Sequence, residues 1–437
     1  MKVLVIGGGG REHAISWKIS LSPLVSHVWV APGNAGTALE PKISNLPIQA
    51  TDLMQLLEFA KEQAIDLTIV GPEAPLADGI VNLFSKEGVP CFGPTQEASQ
   101  LESSKAFCKD FMATHAIPTA NYAKFTQEES ALHYIKDHPY PLVIKADGLA
   151  QGKGVVIAET EIEAKQAIHA MLNEHAFGDA SNRIVIEEFL EGEELSYIVM
   201  VDGNHVLPLA SSQDHKRRDD GDKGPNTGGM GAYSPSPLLT KALEEKVLDQ
   251  VIYPTVNSLR KNKTPYTGFL YAGLMINKHG EPKVLEFNCR LGDPETQPLL
   301  MRLKSDLTQL CLLALQGKLN EAKVEWDPRP ALAVVLAAGG YPLSYKKGDI
   351  IKGLPSQNKE NLAAKDVKVF HAGTTMCDDN IVTSGGRVLA ATALGETLQE
   401  AHELAYKQVN TISWTNSFYR QDIGHKALKK SIAKHEQ

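Results

Sequence analysis

Short apolar runs rich in β-branched residues alternate with stretches of helical period through the first hundred positions. Residues 2–6, 25–30, 65–70 and 89–92 read as strands, and 52–63 as a helix between two of them. This rhythm predicts a doubly wound, parallel α/β unit, a fold in which ligands gather at the carboxyl ends of the strands. Each run ends in glycine or proline, in GGGGREH, APGNAGT, GPEAPLADG and FGPT, so a binding face is expected on that edge. The pattern changes near residue 103. Ser103 and Ser104 are candidate N-caps for the helical KAFCKDFMATHA, and hairpins dominate after it. Residues 141–146 and 155–158 flank a glycine loop, and Thr160-x-x-Glu163 reads as a capping box opening a helix to about Asn173. Further strands are expected at 183–190, 195–201 and 269–276, the last returning through Asn277 to Gly280 into 283–288. A final unit begins near Pro330 and ends in a lysine-rich tail.

The length of 437 residues suggests about three domains, and 43% hydrophobic with 22% charged residues is an ordinary globular balance. A net charge of -8 gives no broad basic field, so nucleic acid is not an expected partner. Five scattered cysteines without a CxxC pair indicate neither a zinc site nor a disulfide framework, which fits a cytoplasmic chain. No apolar run approaches membrane-spanning length, and MKVLVIGGGG is too short for a signal segment.

Four stretches carry candidate chemistry. The turn Gly7 to Gly10 would let backbone amides approach a phosphate, yet G-x-G-x-x-G fails from Gly7 at Glu12 and from Gly8 at His13. A small sugar phosphate or a plain strand-helix turn therefore outranks a dinucleotide. Lys145 to Gly154, KADGLAQGKG, is a glycine loop with two lysines, suited to a polyphosphate but not a P-loop, because no Ser or Thr follows Lys153. It reads as a lid hairpin or as a solvated hairpin tip. Glu286 and Asn288, two apart on a strand, can turn their oxygens to one magnesium ion, or simply form a polar sheet edge. Residues 213–233, QDHKRRDDGDKGPNTGGMGAY, miss the spacing of a calcium loop and read as a substrate loop or as a linker.

Taken together and in this order, GGGGREHA, LESSKAFCKDFM, QDHKRRDDGDKGPNTGGMGAYSP and RLGDPETQ resemble the glycinamide ribonucleotide synthetase (phosphoribosylamine-glycine ligase) family of the ATP-grasp superfamily. The resemblance covers residues 1 to about 425. It implies an N-terminal α/β substrate domain (1–102), an ATP-grasp core (103–329) with a lid subdomain at about 121–187, a small α+β C-terminal domain (330–425) and a basic tail (426–437). The implied reaction joins glycine to 5-phosphoribosylamine with ATP and Mg2+ or Mn2+, through glycyl phosphate, as the second step of de novo purine synthesis. By position, Lys105 and Lys145 resemble the phosphate lysines, and Gly148, Gln151, Gly152, Lys153 and Gly154 the lid loop. Glu187, Glu188, Phe189 and Leu190 resemble the adenine hinge, with Glu193 at the ribose, and Glu286 and Asn288 the metal ligands. Tyr271 stands where many ATP-grasp enzymes carry another metal-binding acid.

Substrate contacts are expected from Gly9, Gly10, Arg11, Asn34, Gly36, Thr37, Glu73, Asp214 and Lys216, with Arg290 and Asp293 at the reacting end of glycine and Lys145 also catalytic. The family further implies a monomer, with no membrane partner and with a channelling contact to the upstream amidotransferase. Two competing readings stay open: another ATP-grasp carboxylate-amine ligase, or a nucleotide-binding oxidoreductase or regulatory module.

Overall fold

The computed structural model describes residues 1–150, 154–355 and 366–429. Its first sheet has five parallel strands, in the spatial order Ile43–Asn45, His27–Pro32, Lys2–Gly7, Leu67–Val70 and Cys91–Phe92. The run VLVI of the central strand is apolar throughout because both faces are covered. Leu4 and Ile6 pack with Leu56, Ile80 and Phe84, whereas Val3 and Val5 pack with Ala14, Ile15 and Ile19 of the helix Gly10–Ser20. The short edge strand Ile43–Asn45 escaped the sequence reading, since three residues of which two are polar carry no periodic signal.

Strand order reverses between Lys2–Gly7 and Leu67–Val70, where such folds open a ligand crevice. Here Glu12 fills it. A Cβ on Gly71 would lie 2.1 Å from Glu12 Oε1 and one on Gly7 2.4 Å from Glu12 Cγ, while Gly9 N donates to Glu12 Oε2 at 2.7 Å. Glu12, at which the dinucleotide motif fails from Gly7, thus fills this crevice, which counts against the oxidoreductase reading.

A second, antiparallel sheet runs Val206–Pro208, Glu193–Asp202, Thr267–Ile276 and Pro282–Asn288. It shares its core with the first domain: Phe92 meets Phe269 edge to face, with ring centroids 5.0 Å apart. A smaller antiparallel sheet, Tyr122–Phe125, Ile184–Glu188, Leu142–Ala146 and Val155–Ala158, keeps a separate apolar cluster under the helices Glu128–Ile135 and Glu161–Leu172. Ser104, one of the two candidate caps, accepts from Phe107 N at 3.1 Å and opens the helix Lys105–Thr114.

The last sheet departs from the sequence reading. Residues 213–233 are neither a linker nor an isolated loop, because Gln213–Asp214 and Gly231–Ser234 continue the sheet formed by Ala331–Ala337, Arg387–Leu394 and Val367–His371. Nor is the chain's end a detached tail at its start: Lys426 Nζ lies 2.6 Å from Asp222 Oδ2. This sheet docks on the first domain through histidine. His13 Nδ1 accepts from His371 N at 2.8 Å, so its Nε2 carries the hydrogen and faces Glu40 at 3.0 Å.

Burial lowers the pKa of His13, that of His371 to about 3 and that of His215 to about 4. Below the ordinary value of 6.5 the unfolded chain binds these protons and the folded chain does not, so stability present above 6.5 is lost as pH falls toward 3. Melting temperature should therefore drop on acidification from pH 7 to 5. His371→Asn should flatten that slope by roughly 1.4 kcal/mol per pH unit in denaturant titrations.

Candidate active site

The strand Pro282–Asn288 carries the centre of the site. Its partner pairs Tyr271 with Asn288 and Gly273 with Glu286, but then Leu274 with Val284, which leaves Leu285 as an extra residue in a β-bulge. The bulge frees the Leu285 carbonyl, which accepts from Lys145 Nζ at 3.2 Å. Past it, Glu286 and Asn288 line one cavity of about 690 Å³, and Phe287 between them borders it while packing into the core. The Asn288 amide makes no hydrogen bond among the described residues, leaving its oxygen available to a cation.

Lysines surround this pair. Lys105 Nζ donates to Gly148 O at 2.9 Å, and Lys145 Nζ lies 2.8 Å from Glu187 Oε1. A third, Lys109, went unnoticed in the sequence: its Nζ lies 2.8 Å from Glu187 Oε2 and 2.7 Å from Thr119 Oγ1, almost out of contact with water. Only the apolar period of its helix could have hinted at it, since a lysine on a buried helix face needs a partner. Glu187 is therefore an ion-pair centre through its side chain, beyond any part its backbone plays in a hinge. Burial lowers the pKa of Lys105, opposed by Glu286 and reinforced by Lys145, so an anion among these lysines would be stabilised. Glu286 stays below the ordinary carboxylate range, because Lys216, Lys145 and Lys105 outweigh its burial.

Glu188, Phe189, Leu190 and Glu193 line the same cavity. Gln151, Gly152 and Lys153 lie outside the described residues. Gly154 lines the wall, and a Cβ there would come within 2.8 Å of Ala150 Cβ. Gly148 is no part of that wall and serves through its carbonyl.

Several expected substrate contacts are engaged within the protein. Lys216 Nζ lies 2.9 Å from Glu194 Oε2 and 3.7 Å from Glu286 Oε1. Arg290 Nε is 3.3 Å from Glu73 Oε2 and its NH2 2.7 Å from Glu102 Oε1, so Arg290 and Glu73 hold each other. Burial pushes Glu102 up to about 7 despite Arg290. Asp214, beneath Gly229, is raised well above the usual range by burial and by nearby Glu295, so a bound ammonium would favour its ionised form. Arg11 does not face the glycine turn's cavity: its Nε meets Glu12 Oε1 at 2.6 Å and its NH1 meets Leu291 O at 3.1 Å.

That turn opens on a second cavity of about 320 Å³, lined by Gly8, Gly9, Gly33, Asn34, Asp293 and residues of the last sheet's end, Ala372 to Thr374, Ser384 and Arg387. Asn34 Nδ2 donates to Gly8 O at 3.0 Å and to His371 O at 2.9 Å, while its Oδ1 accepts from Gly36 N and Thr37 N. Gly36 and Thr37 are buried behind it and line neither cavity, and Gly10 faces Gln297 instead. Arg387 was missed. Nothing near it in sequence marks it, because its partners Gly228 and Asp293 are 159 and 94 residues away.

Family models for phosphoribosylglycinamide synthetase match three successive stretches: the N domain over residues 1–102, the ATP-grasp (A) domain over 103–296 and the C domain over 331–426. The chain belongs to the phosphoribosylglycinamide synthetase family. It is 58% identical to the phosphoribosylamine-glycine ligase of Vibrio parahaemolyticus over 434 residues, 99% of this chain and 100% of that one. The crystal structure of the Thermotoga maritima ligase superposes with a TM-score of 0.83 at 34% identity, covering 97% of this chain and 100% of that one. A biotin carboxylase domain from Hydrogenobacter thermophilus, solved with MgADP, shares the fold alone, with a TM-score of 0.72 at 16% identity over 96% of this chain and 91% of that one. The enzyme is a ligase with the glycinamide ribonucleotide synthetase function of purine biosynthesis, built on an ATP-grasp fold.

Lys109→Met should lower the unfolding free energy of the ligase by about 3 kcal/mol, because Glu187 is left half-paired in the core. Adding Glu187→Met should recover part of that loss in a double-mutant cycle read by denaturant titration.

Proposed function

We propose that the larger cavity binds ATP with glycine, that the smaller one takes the phosphoribosyl group of phosphoribosylamine, and that the two meet at Asp293. The reading is carried by one observation: Asp293 lines both cavities, beside the metal-binding strand on one side and the glycine turn on the other. Lys105 and Lys145 hold the ATP phosphates, and the backbone of Glu187 to Leu190 reads adenine, with Glu193 at the ribose. Glu286 and Asn288 would hold Mg2+ or Mn2+ through one carboxylate and one amide oxygen, a set that water and phosphate oxygens complete. When bound, the ion supplies neutralising charge for the transferring phosphoryl group.

A carboxylate oxygen of glycine attacks the γ-phosphorus, ADP leaves, and glycyl phosphate remains. Asp214 takes the glycine ammonium, and Arg290, steadied by Glu73 and Glu102, faces the carboxylate. The ribosylamine nitrogen then attacks the glycyl carbonyl carbon, the carbon-oxygen bond to phosphate breaks, and the nitrogen loses one proton. The residues act by orientation and charge, which for well-aligned reactants is worth roughly 7 to 11 kcal/mol. Amides and hydroxyls around Gly9, Asn34, Thr374 and Ser384 suit the sugar phosphate.

We further read the chain as a cytoplasmic monomer that receives its ribosylamine from the upstream amidotransferase. In support, all five cysteines are free thiols, and among the described residues no helix is long and apolar enough to cross a membrane.

With ATP and magnesium, ADP should form at full rate only when glycine and phosphoribosylamine are both present. ADP formation with a different amine acceptor, or without glycine, would reject the reading. Glu286→Gln should raise the magnesium concentration for half-maximal activity by roughly tenfold or more, since even outer contacts to a metal are worth that much.

A further inference from the structure

Asp293 and Arg387 alone, among the described residues, line both cavities. Arg387 comes from the last sheet and crosses to the other side of the junction. Its NH1 donates to Gly228 O at 2.6 Å and to Asp293 O at 2.6 Å, and its NH2 lies 3.2 Å from Asp293 Oδ2. Gln297 Nε2 donates to the other carboxylate oxygen at 2.8 Å. A Cβ on Gly9 would stand 3.7 Å from Asp293 Oδ2, and one on Gly10 would stand 3.6 Å from Oδ1, so the glycine turn abuts this carboxylate directly. Asp293 is thus held from two sides, and the Asp293–Arg387 pair lines the junction of the two cavities.

We propose that Arg387 is a positioning residue that fixes Asp293 at the junction where the two cavities meet and keeps that junction closed to water, so that glycyl phosphate meets the ribosylamine nitrogen before it meets water. The inference rests on the reading of the two cavities given above. Three properties of the pair support it. A guanidinium bonded to the Gly228 carbonyl and to both the carbonyl and the carboxylate of Asp293 cannot move without breaking contacts to two distant segments at once. A misplacement of about 1 Å at a reacting centre can cost roughly a hundredfold in rate. The acyl phosphate is also a mixed anhydride that water cleaves, releasing glycine and phosphate, so an open junction wastes ATP without forming product.

The test is the ratio of ADP to ligated product in the full-length enzyme. Wild type should release one ADP per product. Arg387→Gln should lower kcat/KM for phosphoribosylamine roughly a hundredfold and leave the dissociation constant for ATP unchanged. It should also release ADP in excess of product when glycine is present. Arg387→Lys keeps the charge but not the fork, and should uncouple as well. Melting temperature identifies any variant that fails to fold, and Asp293→Asn, which keeps the shape and removes the pairing charge, then carries the same test. Stoichiometric ADP and product in folded Arg387 variants, with KM for phosphoribosylamine unchanged, would overturn the inference. Failure of the wild-type enzyme to form product would instead reject the substrate reading.

Discussion

Glu187 stands between Lys109 and Lys145 with almost no access to water, so its charge must be balanced inside the protein. Stripping a carboxylate of water costs several kcal/mol, and two ammonium groups at 2.8 Å offset that cost only if both stay in place. That requirement fixes the smaller antiparallel sheet, which carries Glu187 and Lys145, against the helix Lys105–Thr114, which carries Lys109. Lys145 is in turn aimed at Leu285 O, at the bulge before Glu286. Lys145 and the strand that carries Glu286 and Asn288 are therefore set relative to each other by buried charge.

The same accounting explains why so few of the polar residues around the cavities are free. Arg290 answers Glu73 and Glu102, Lys216 answers Glu194 and Glu286, and Arg387 answers Asp293. Each cation is already partnered, so a substrate enters a site whose charges are pre-oriented and exchanges contacts with it, which keeps reorganisation during the reaction small. Asp214 is the exception. Burial and nearby Glu295 outweigh Lys216 and Arg387 there and push it toward the protonated form, so an added positive charge would favour its ionised state.

Much of this was legible in the chain. Period-two spacing put Glu286 and Asn288 on one face, and the broken motif at Glu12 argued against a dinucleotide for the physical reason later found in the crevice. The helix cap at Ser104 and the strands of the second sheet were readable from local pattern alone. Long-range pairings were not. Lys109 looks like any helix lysine until Glu187 is folded against it, and Arg387 has no local signal because its partners lie 159 and 94 residues away. The bulge at Leu285 is a property of two strands together, and Gly231–Ser234 joins the last sheet only because Ala331–Ala337 presents an edge to it.

In the proposed reaction the carboxylate of glycine is activated by phosphoryl transfer in the cavity that Glu286, Lys105 and Lys145 line. Glycine labelled with oxygen-18 in both carboxylate positions tests it most directly. If glycyl phosphate forms, the bridging oxygen leaves with phosphorus, and mass spectrometry should find one labelled oxygen in each inorganic phosphate and the other in the product amide. Unlabelled phosphate, with both labels accounted for elsewhere, would contradict the account.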